Sequence, residues 1–271
     1  MTAAETTCYR HPDRATGRRC TRCGRYTCPM CLRDAAVGAQ CVECVRAGAP
    51  SGAQRWAGRW RGQSVIVTKC IIGVTVGAYV LTTLLDRRSD GLGSASEHLV
   101  LFGPAVRAGE WWRLGSNALV HFGPMHLFFN MLLLWLVGQV LEPAAGRLRY
   151  LLLYVVSVLG GAAGALVATP AAVVGGASGG VFGLAAGATV ATHRQGVRFW
   201  DTGFGPLLVI NLVFNLFTPN VSIGGHLGGL VAGALATEAM IRARRAGRPE
   251  LGIVGAVAVG AIALVVAFAA I

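Results

Sequence analysis

Charge is what this chain has least of. Among 271 residues there are 12 Asp and Glu, and charged residues of both signs make up only 13%. A soluble domain of ordinary composition carries about 25%, so a water-soluble globular body is excluded. A strand-rich pattern is also missing. That removes a soluble α/β hydrolase, although Gly176-Ala177-Ser178-Gly179-Gly180 satisfies G-x-S-x-G, because that motif works only on a strand-turn-helix. The first fifty residues are polar and cysteine-rich rather than apolar, so no signal peptide is expected.

What the chain has instead is apolar runs: 54% of it is hydrophobic and 38 residues are glycine. Val65–Leu85, Met125–Leu141, Leu148–Ala168, Gly205–Phe217, Ile223–Ile241 and Leu251–Ile271 are nearly free of charge. Most approach the roughly 20 residues of a spanning helix. Ser178–Thr192 is shorter and can span only as a helix buried among others. Seven spans are expected, the fourth being the short one. If they alternate from a cytoplasmic N-terminus, only Arg87, Arg88, Arg107 and Arg113 of the 24 basic residues fall outside. By the positive-inside rule this predicts a multi-pass plasma-membrane protein with its N-terminus in the cytoplasm and its C-terminus outside. The net charge of +12 then reads as a topology signal with affinity for anionic lipid, and nucleic acid is not expected as a partner. Residues 49–64 form a linker in which Arg55, Trp56, Arg59, Trp60 and Arg61 suit an anchor at the cytoplasmic interface.

Residues 1–48 are a separate head. Every cysteine except Cys70 lies there, as Cys8-x2-His11, Cys20-x2-Cys23, Cys28-x2-Cys31 and Cys41-x2-Cys44. Pairs at this spacing sit on tight turns that bring both side chains to one metal. Eight such ligands suit two tetrahedral zinc ions. Disulfides fit poorly, since a histidine completes the set and the head is on the reducing side. Spacing alone leaves interleaved and sequential pairing open. The arrangement resembles a B-box zinc finger, which implies a cross-brace with pairs one and three on one ion and pairs two and four on the other. With so small an apolar core, metal would supply the stability, and binding of a cytoplasmic protein partner or regulation is the expected role. Cys70, in the first span, reads as packing.

Ionisable residues inside spans are functional candidates. His126 and Asn130 are spaced i, i+4 and share a helix face. His226, Gly229 and Gly233 share another, with the small residues admitting a neighbouring backbone. Spans two, four and six all begin at the outer face under the alternating topology. His126, Asn130, Ser178 and His226 therefore meet at one depth. Ser178 is then the candidate nucleophile and His226 its general base. No carboxylate lies in the outer half of a span, so a Ser–His dyad is expected, its ring packed against Phe182. Free amides at a helix start can take a developing oxyanion, with His126 and Asn130 as side-chain donors and Gly176 and Gly179 letting the loop approach a scissile backbone.

At these residues the chain resembles the rhomboid intramembrane serine proteases. The matching motifs are Gly176-Ala-Ser178-Gly179, His126-x3-Asn130 with His121 before it, His226-x2-Gly229-x3-Gly233, the pair Trp112-Arg113, and Glu142 closing span two. The resemblance covers roughly residues 60–245. It implies an all-α polytopic membrane protein with a six-helix core over residues 65–245, cleaving transmembrane segments of other proteins at helix-destabilising sites. The extra span, residues 246–271, and the zinc-binding head are additions to that core. The alternative is a catalytically inactive relative that binds membrane clients. Asn211 and Asn215, again i, i+4, fall in the helix that borders substrate entry in the family. Trp112 and Arg113 are expected to anchor and brace the outer loop, and Glu142 to cap or tie a cytoplasmic turn.

Overall fold

A computed structural model describes residues 6–35, 38–49, 64–86, 93–201, 205–216 and 221–271. The Arg/Trp linker anchor and the side chain of Asn215 lie outside the described residues. The chain divides into two compact units, Met1–Ser51 and Gly52–Ile271.

The first unit is built from two hairpins and one short helix. Strands β1 (Thr7–Cys8) and β2 (His11–Ala15) pair antiparallel, as do β3 (Leu32–Asp34) and β4 (Ala39–Cys41). A 3-10 turn at Pro29–Cys31 precedes β3, and α1 (Val42–Gly48) follows β4. Isolated two-stranded hairpins are marginal in water. Here the residues with least exposure are mostly sulfur-bearing: Cys8, Cys20, Cys28, Cys31, Cys41 and Cys44 are all buried. Half-buried Tyr9 packs against both groups of them.

Among the described residues the second unit is helical apart from one isolated bridge, Leu101 to Val174. Its helices in chain order are α2 (Ile66–Leu85), α3 (Ser94–Glu97), α4 (Gly103–Arg107), α5 (Arg113–Ser116), α6 (Pro124–Ala145), α7 (Arg147–Ala168), α8 (Ser178–His193), α9 (Gly205–Leu216), α10 (Ile223–Arg245) and α11 (Pro249–Ala269). All seven expected spans are helices. By length and composition α2, α6, α7 and α11 can each cross a membrane. At 16 residues α8 is the short one, and its middle, Gly180–Ala188, is buried throughout. Between α6 and α7 only Gly146 intervenes. Its φ of 85° is open to glycine at no steric cost, which allows the chain to reverse in a single residue.

The centre of the bundle is α7, α8 and α10, held backbone to backbone. A Cβ at Gly229 would strike the Gly179 carbonyl, and one at Gly233 would strike the Gly183 carbonyl. Gly187 faces Thr237 in the same register. Contacts that advance together along both helices mean that α8 and α10 run parallel and start at the same face. Contacts of α7 with α10 run the other way: Gly160 meets Gly228, and Gly164 meets Gly224. Helices of membrane proteins associate through such small residues because lipid offers no hydrophobic drive. α11 lays its own small-residue stripe, Gly252, Ala256, Gly260, Ala263 and Ala267, into this group.

α2 is different. Its only buried residues are Thr68, Thr75 and Thr82, one stripe seven residues apart. Its N-terminus is fixed by a distant carboxylate. Glu142, 1% exposed, accepts from Val67 N at 2.9 Å, Thr68 N at 2.8 Å and Thr68 Oγ1 at 2.7 Å. These are amides that a helix start leaves unpaired, so Glu142 acts as an N-cap supplied from another helix, the capping half of the expectation. In the loop from Gly93 to Val120, buried Arg113 bonds Glu110 at 2.7 Å and the Val100 carbonyl at 2.7 Å. Trp112 donates from Nε1 to the His98 carbonyl at 2.9 Å with its ring exposed. Both are bracing roles, as expected.

Candidate active site and metal clusters

Three helix starts converge at one end of the bundle. Ser178 is the first residue of α8, His226 lies one turn into α10, and His126 lies in the first turn of α6. The loop before Ser178 is located by three backbone ties: Leu101 pairs with Val174, Gly176 N donates to the Asn117 carbonyl at 2.9 Å, and Ala177 N approaches His121 Nε2 at 3.4 Å. Gly176 sits at φ 137°, a conformation L side chains rarely adopt, and a Cβ there would come 3.0 Å from His126 Nε2 and 3.6 Å from Ser178 Oγ. Glycine at this position therefore serves both the turn and the close approach of the two side chains.

Ser178 Oγ and His226 Nε2 are 2.9 Å apart, and both residues are buried. The His226 ring stacks on Phe182, with centroids 4.3 Å apart and planes 4° from parallel. Phe182 is one turn beyond Ser178 on α8, so a single helix carries both the hydroxyl and the surface that orients the imidazole. His226 Nδ1 has no hydrogen-bond partner among the described residues. Asp201, the carboxylate between Ser178 and His226 in sequence, is exposed in a 3-10 turn after α8. Among the described residues, no carboxylate bonds this histidine.

The other expected site residues are placed as follows. His126 is 5% exposed, and neither ring nitrogen has a partner among the described residues. Its ring lies 5.0 Å from that of His121. Asn130 is buried, and its Nδ2 donates to the His126 carbonyl at 2.9 Å. Its carboxamide nitrogen is thus engaged within its own helix. Gly179 packs against Gly161 of α7, and Gly229 and Gly233 bear on the α8 backbone rather than on the imidazole itself. Asn211 is buried and engaged. A cavity of about 20 Å³ lies beside Ser178, lined also by Asn117, Gly176 and Ser222, large enough for about one water.

Asn117 and Gly161 were not singled out from the sequence. The doublet Gly160-Gly161 followed by Gly164 was the available signal for the second of these, being a small-residue repeat inside an apolar run. Asn117 had no local signal, because its part is played through a backbone carbonyl.

In the head, the eight ligands gather as Cys8, His11, Cys28 and Cys31, and as Cys20, Cys23, Cys41 and Cys44, with the ligand atoms of each set within 4.8 Å of one another. Pairs one and three thus meet, as do pairs two and four, which is the interleaved arrangement. His11 Nδ1 is 3.9, 3.5 and 3.3 Å from the Sγ atoms of Cys8, Cys28 and Cys31, and Cys23 and Cys41 Sγ are 3.8 Å apart. A tetrahedron with metal–sulfur bonds of about 2.3 Å has edges of about 3.8 Å, so the donor set fits a single ion in each cluster. Burial raises the Cys8 and Cys20 thiols, but backbone amides directed at the sulfurs outweigh it and bring both down to about 6. Burial and its neighbouring thiols push Cys44 up to about 12. A bound dication would offset the opposition that the Cys44 thiol meets.

Residues 108–243, half of the chain, match the Rhomboid domain family. The rhomboid protease GluP of Bacillus subtilis (strain 168) is 32% identical over 183 residues, 65% of this chain and 35% of that protein. The rhomboid protease GlpG of Enterobacter sp. (strain 638) is 31% identical over 151 residues, 53% and 54% of the two chains. The inactive rhomboid-related protein 2 of Caenorhabditis elegans is 32% identical over 152 residues, 51% and 43%. The chain therefore spans about a third to about half the length of these relatives. This chain is a multi-pass membrane protein, and it belongs to the rhomboid family. Membership supports intramembrane proteolysis at the level of the family, which also holds an inactive relative.

Proposed function

We propose that this chain is an intramembrane serine endopeptidase that cleaves transmembrane segments of other proteins by a Ser178–His226 dyad. The observation that carries the reading is the buried 2.9 Å contact between Ser178 Oγ and His226 Nε2, with the imidazole stacked on Phe182. Ser178 Oγ attacks the scissile carbonyl carbon as His226 Nε2 takes the hydroxyl proton. The carbonyl oxygen becomes an oxyanion, received by the amides at the start of α8 and by His126, whose ring nitrogens are otherwise unpaired among the described residues. Asn130 completes this donor set once its carboxamide turns from the His126 carbonyl, while Gly176 and Gly179 keep the approach to Ser178 clear. The protonated His226 then gives its proton to the leaving amine. Water follows the same path in reverse to release the acyl group, and the cavity beside Ser178 has room for it. Phe182 substitutes for a carboxylate in holding the ring, and Gly229 and Gly233 hold α10 close enough to α8 for the pair to meet.

We place this site on the outer side of the plasma membrane, with the N-terminus in the cytoplasm and the C-terminus outside, on the distribution of basic residues. Substrates are helices rich in small, helix-destabilising residues, whose backbone can reach a buried serine. The head, residues 1–48, holds two structural zinc ions and serves a cytoplasmic protein partner. Residues 65–245 carry the protease core, and 246–271 are an added span. Asn211 sits on the helix that would border substrate entry.

A fluorophosphonate probe should label wild-type protein at Ser178, and neither Ser178→Ala nor His226→Ala should label or cleave a helix-destabilised transmembrane substrate while both unfold at the wild-type temperature. Undiminished cleavage by Ser178→Ala would sink the mechanism. A folded wild type that neither labels nor cleaves would point to the inactive, client-binding reading.

A further inference from the structure

At the end of the bundle away from Ser178, the chain encloses a second and much larger space. It is an open cavity of about 810 Å³ between the C-terminal ends of α6, α8 and α10 and the start of α7. That volume lies within the range of ligand sites. Arg149, Arg194, Arg244 and Arg245 line it, drawn from three different helix ends. Among the described residues Arg149, Arg244 and Arg245 make no ion pair. Like charges gathered this way repel one another unless an anion joins them.

Two nearby carboxylates are engaged elsewhere, and exposed Glu250, next to Pro249, is outside the lining. Glu142 is turned to the start of α2, and Glu238 bonds Arg194 and, at 2.6 Å, Arg242. Among the described residues no carboxylate lines the cavity. Thr237 also lines it, with its hydroxyl buried against Gly187 at the α8–α10 contact rather than offered to the cavity. Deeper in, the wall is apolar, with Leu141, Leu153 and Met240. Cations at the mouth and an apolar floor make an amphipathic site at the level where spanning helices end.

We propose that this cavity binds the phosphate headgroup of an anionic phospholipid, with the lipid's glycerol and upper acyl chain against the apolar wall. A soluble phosphate would use the same arginines but not that wall, and an anion held at helix ends in a bilayer has lipid as its nearest source. Nothing in this assignment depends on the chemistry at Ser178.

The test uses the full chain in nanodiscs of phosphatidylcholine and phosphatidylglycerol, with co-released lipid counted by native mass spectrometry. Wild type should retain phosphatidylglycerol over phosphatidylcholine. Arg149→Gln with Arg244→Gln should weaken that preference by roughly fivefold for each arginine. Arg242→Gln, the same charge change on an exposed residue outside the cavity lining, should leave it intact. If the double variant fails to fold, Arg245→Gln alone should show about the single-residue loss. Retention unchanged in the cavity variants, or lost equally in Arg242→Gln, overturns the proposal. Displacement of the lipid by millimolar inorganic phosphate in place of detergent-resistant retention would make the ligand a soluble anion and overturn the lipid assignment.

Discussion

The head and the membrane bundle are held together by opposite means. In the head, side chains converge on two points, and almost everything buried is a candidate sulfur ligand. In the bundle, side chains are removed where α7, α8 and α10 meet, and glycine backbones touch. One unit depends on donor atoms being present, the other on Cβ atoms being absent. Both devices answer the same shortage, since neither has a hydrophobic drive of ordinary size: the head is too small for a core, and lipid is as apolar as the helices it surrounds. The two should fail separately, and to different reagents.

The largest effect expected is on the head. Stripping metal with a chelator should unfold it, because ion binding and folding are one equilibrium in domains of this kind, worth about 10 kcal/mol or more. Metal analysis should give two zinc ions per chain, and chelation should expose the head's thiols to a colorimetric reagent while the bundle's thermal unfolding stays where it was. Two zinc ions that can be removed with the thiols still protected would break the comparison from the head's side. From the bundle's side the corresponding change is the addition of a side chain. Gly229→Val puts bulk against the Gly179 carbonyl, and overpacking in a close-packed interior costs about 1–3 kcal/mol or more. We expect a lowered unfolding temperature, and loss of fluorophosphonate labelling as α10 is forced from α8, with the head's metal content unchanged.

This contrast also explains what could be read from the sequence. Ligand pairs at fixed short spacing carry their chemistry in the residue type, so all eight metal-cluster residues were legible, and the resemblance to a B-box implied the interleaved grouping that spacing left open. Ser178, His226 and Phe182 were legible because each is an unusual residue in an apolar run or one turn from one. The loop from Gly93 to Val120 was not. Its three short helices are too brief for a periodic signal, and they are fixed by carbonyl groups of Glu97 and Val100 meeting Arg113. Backbone carbonyls have no residue identity, and for the same reason Asn117 escaped notice. The four-residue glycine spacing of α10 was visible, but its partner register on α8 was not, because a repeat names a face without naming what lies across it.

A smaller effect is expected at Glu142, where the bundle borrows the head's method and fixes a helix with donor and acceptor atoms. Glu142→Gln leaves one acceptor oxygen for the Val67 and Thr68 amides and the Thr68 hydroxyl. Losing bonds to a buried charged group costs about 2 kcal/mol, partly offset because the charge itself no longer has to be buried. Hydrogen exchange at Val67 and Thr68 should quicken, while exchange in α8 and α10 should not. If α8 loosens equally, the backbone contacts do not hold the centre independently.

The smallest effect sharpens the same boundary with pH. Asp86, just past the end of α2, accepts from Ala95 N and Ser96 N at 3.1 Å each and from Ser96 Oγ at 2.5 Å. Burial raises its pKa, but these donors outweigh it and hold the carboxyl below its usual value. A carboxyl with a depressed folded pKa binds protons more readily in the unfolded chain. Its contribution is therefore fully present above the unfolded value of about 4, and it is lost as pH falls through the lower folded one. After solvent screening it should amount to no more than about 1 kcal/mol. Thermal unfolding of the wild type should then decline below about pH 4 more steeply than that of Asp86→Asn, the two curves converging in acid. Parallel curves would mean that the α2–α3 corner is held, like the centre of the bundle, by packing rather than by this carboxylate.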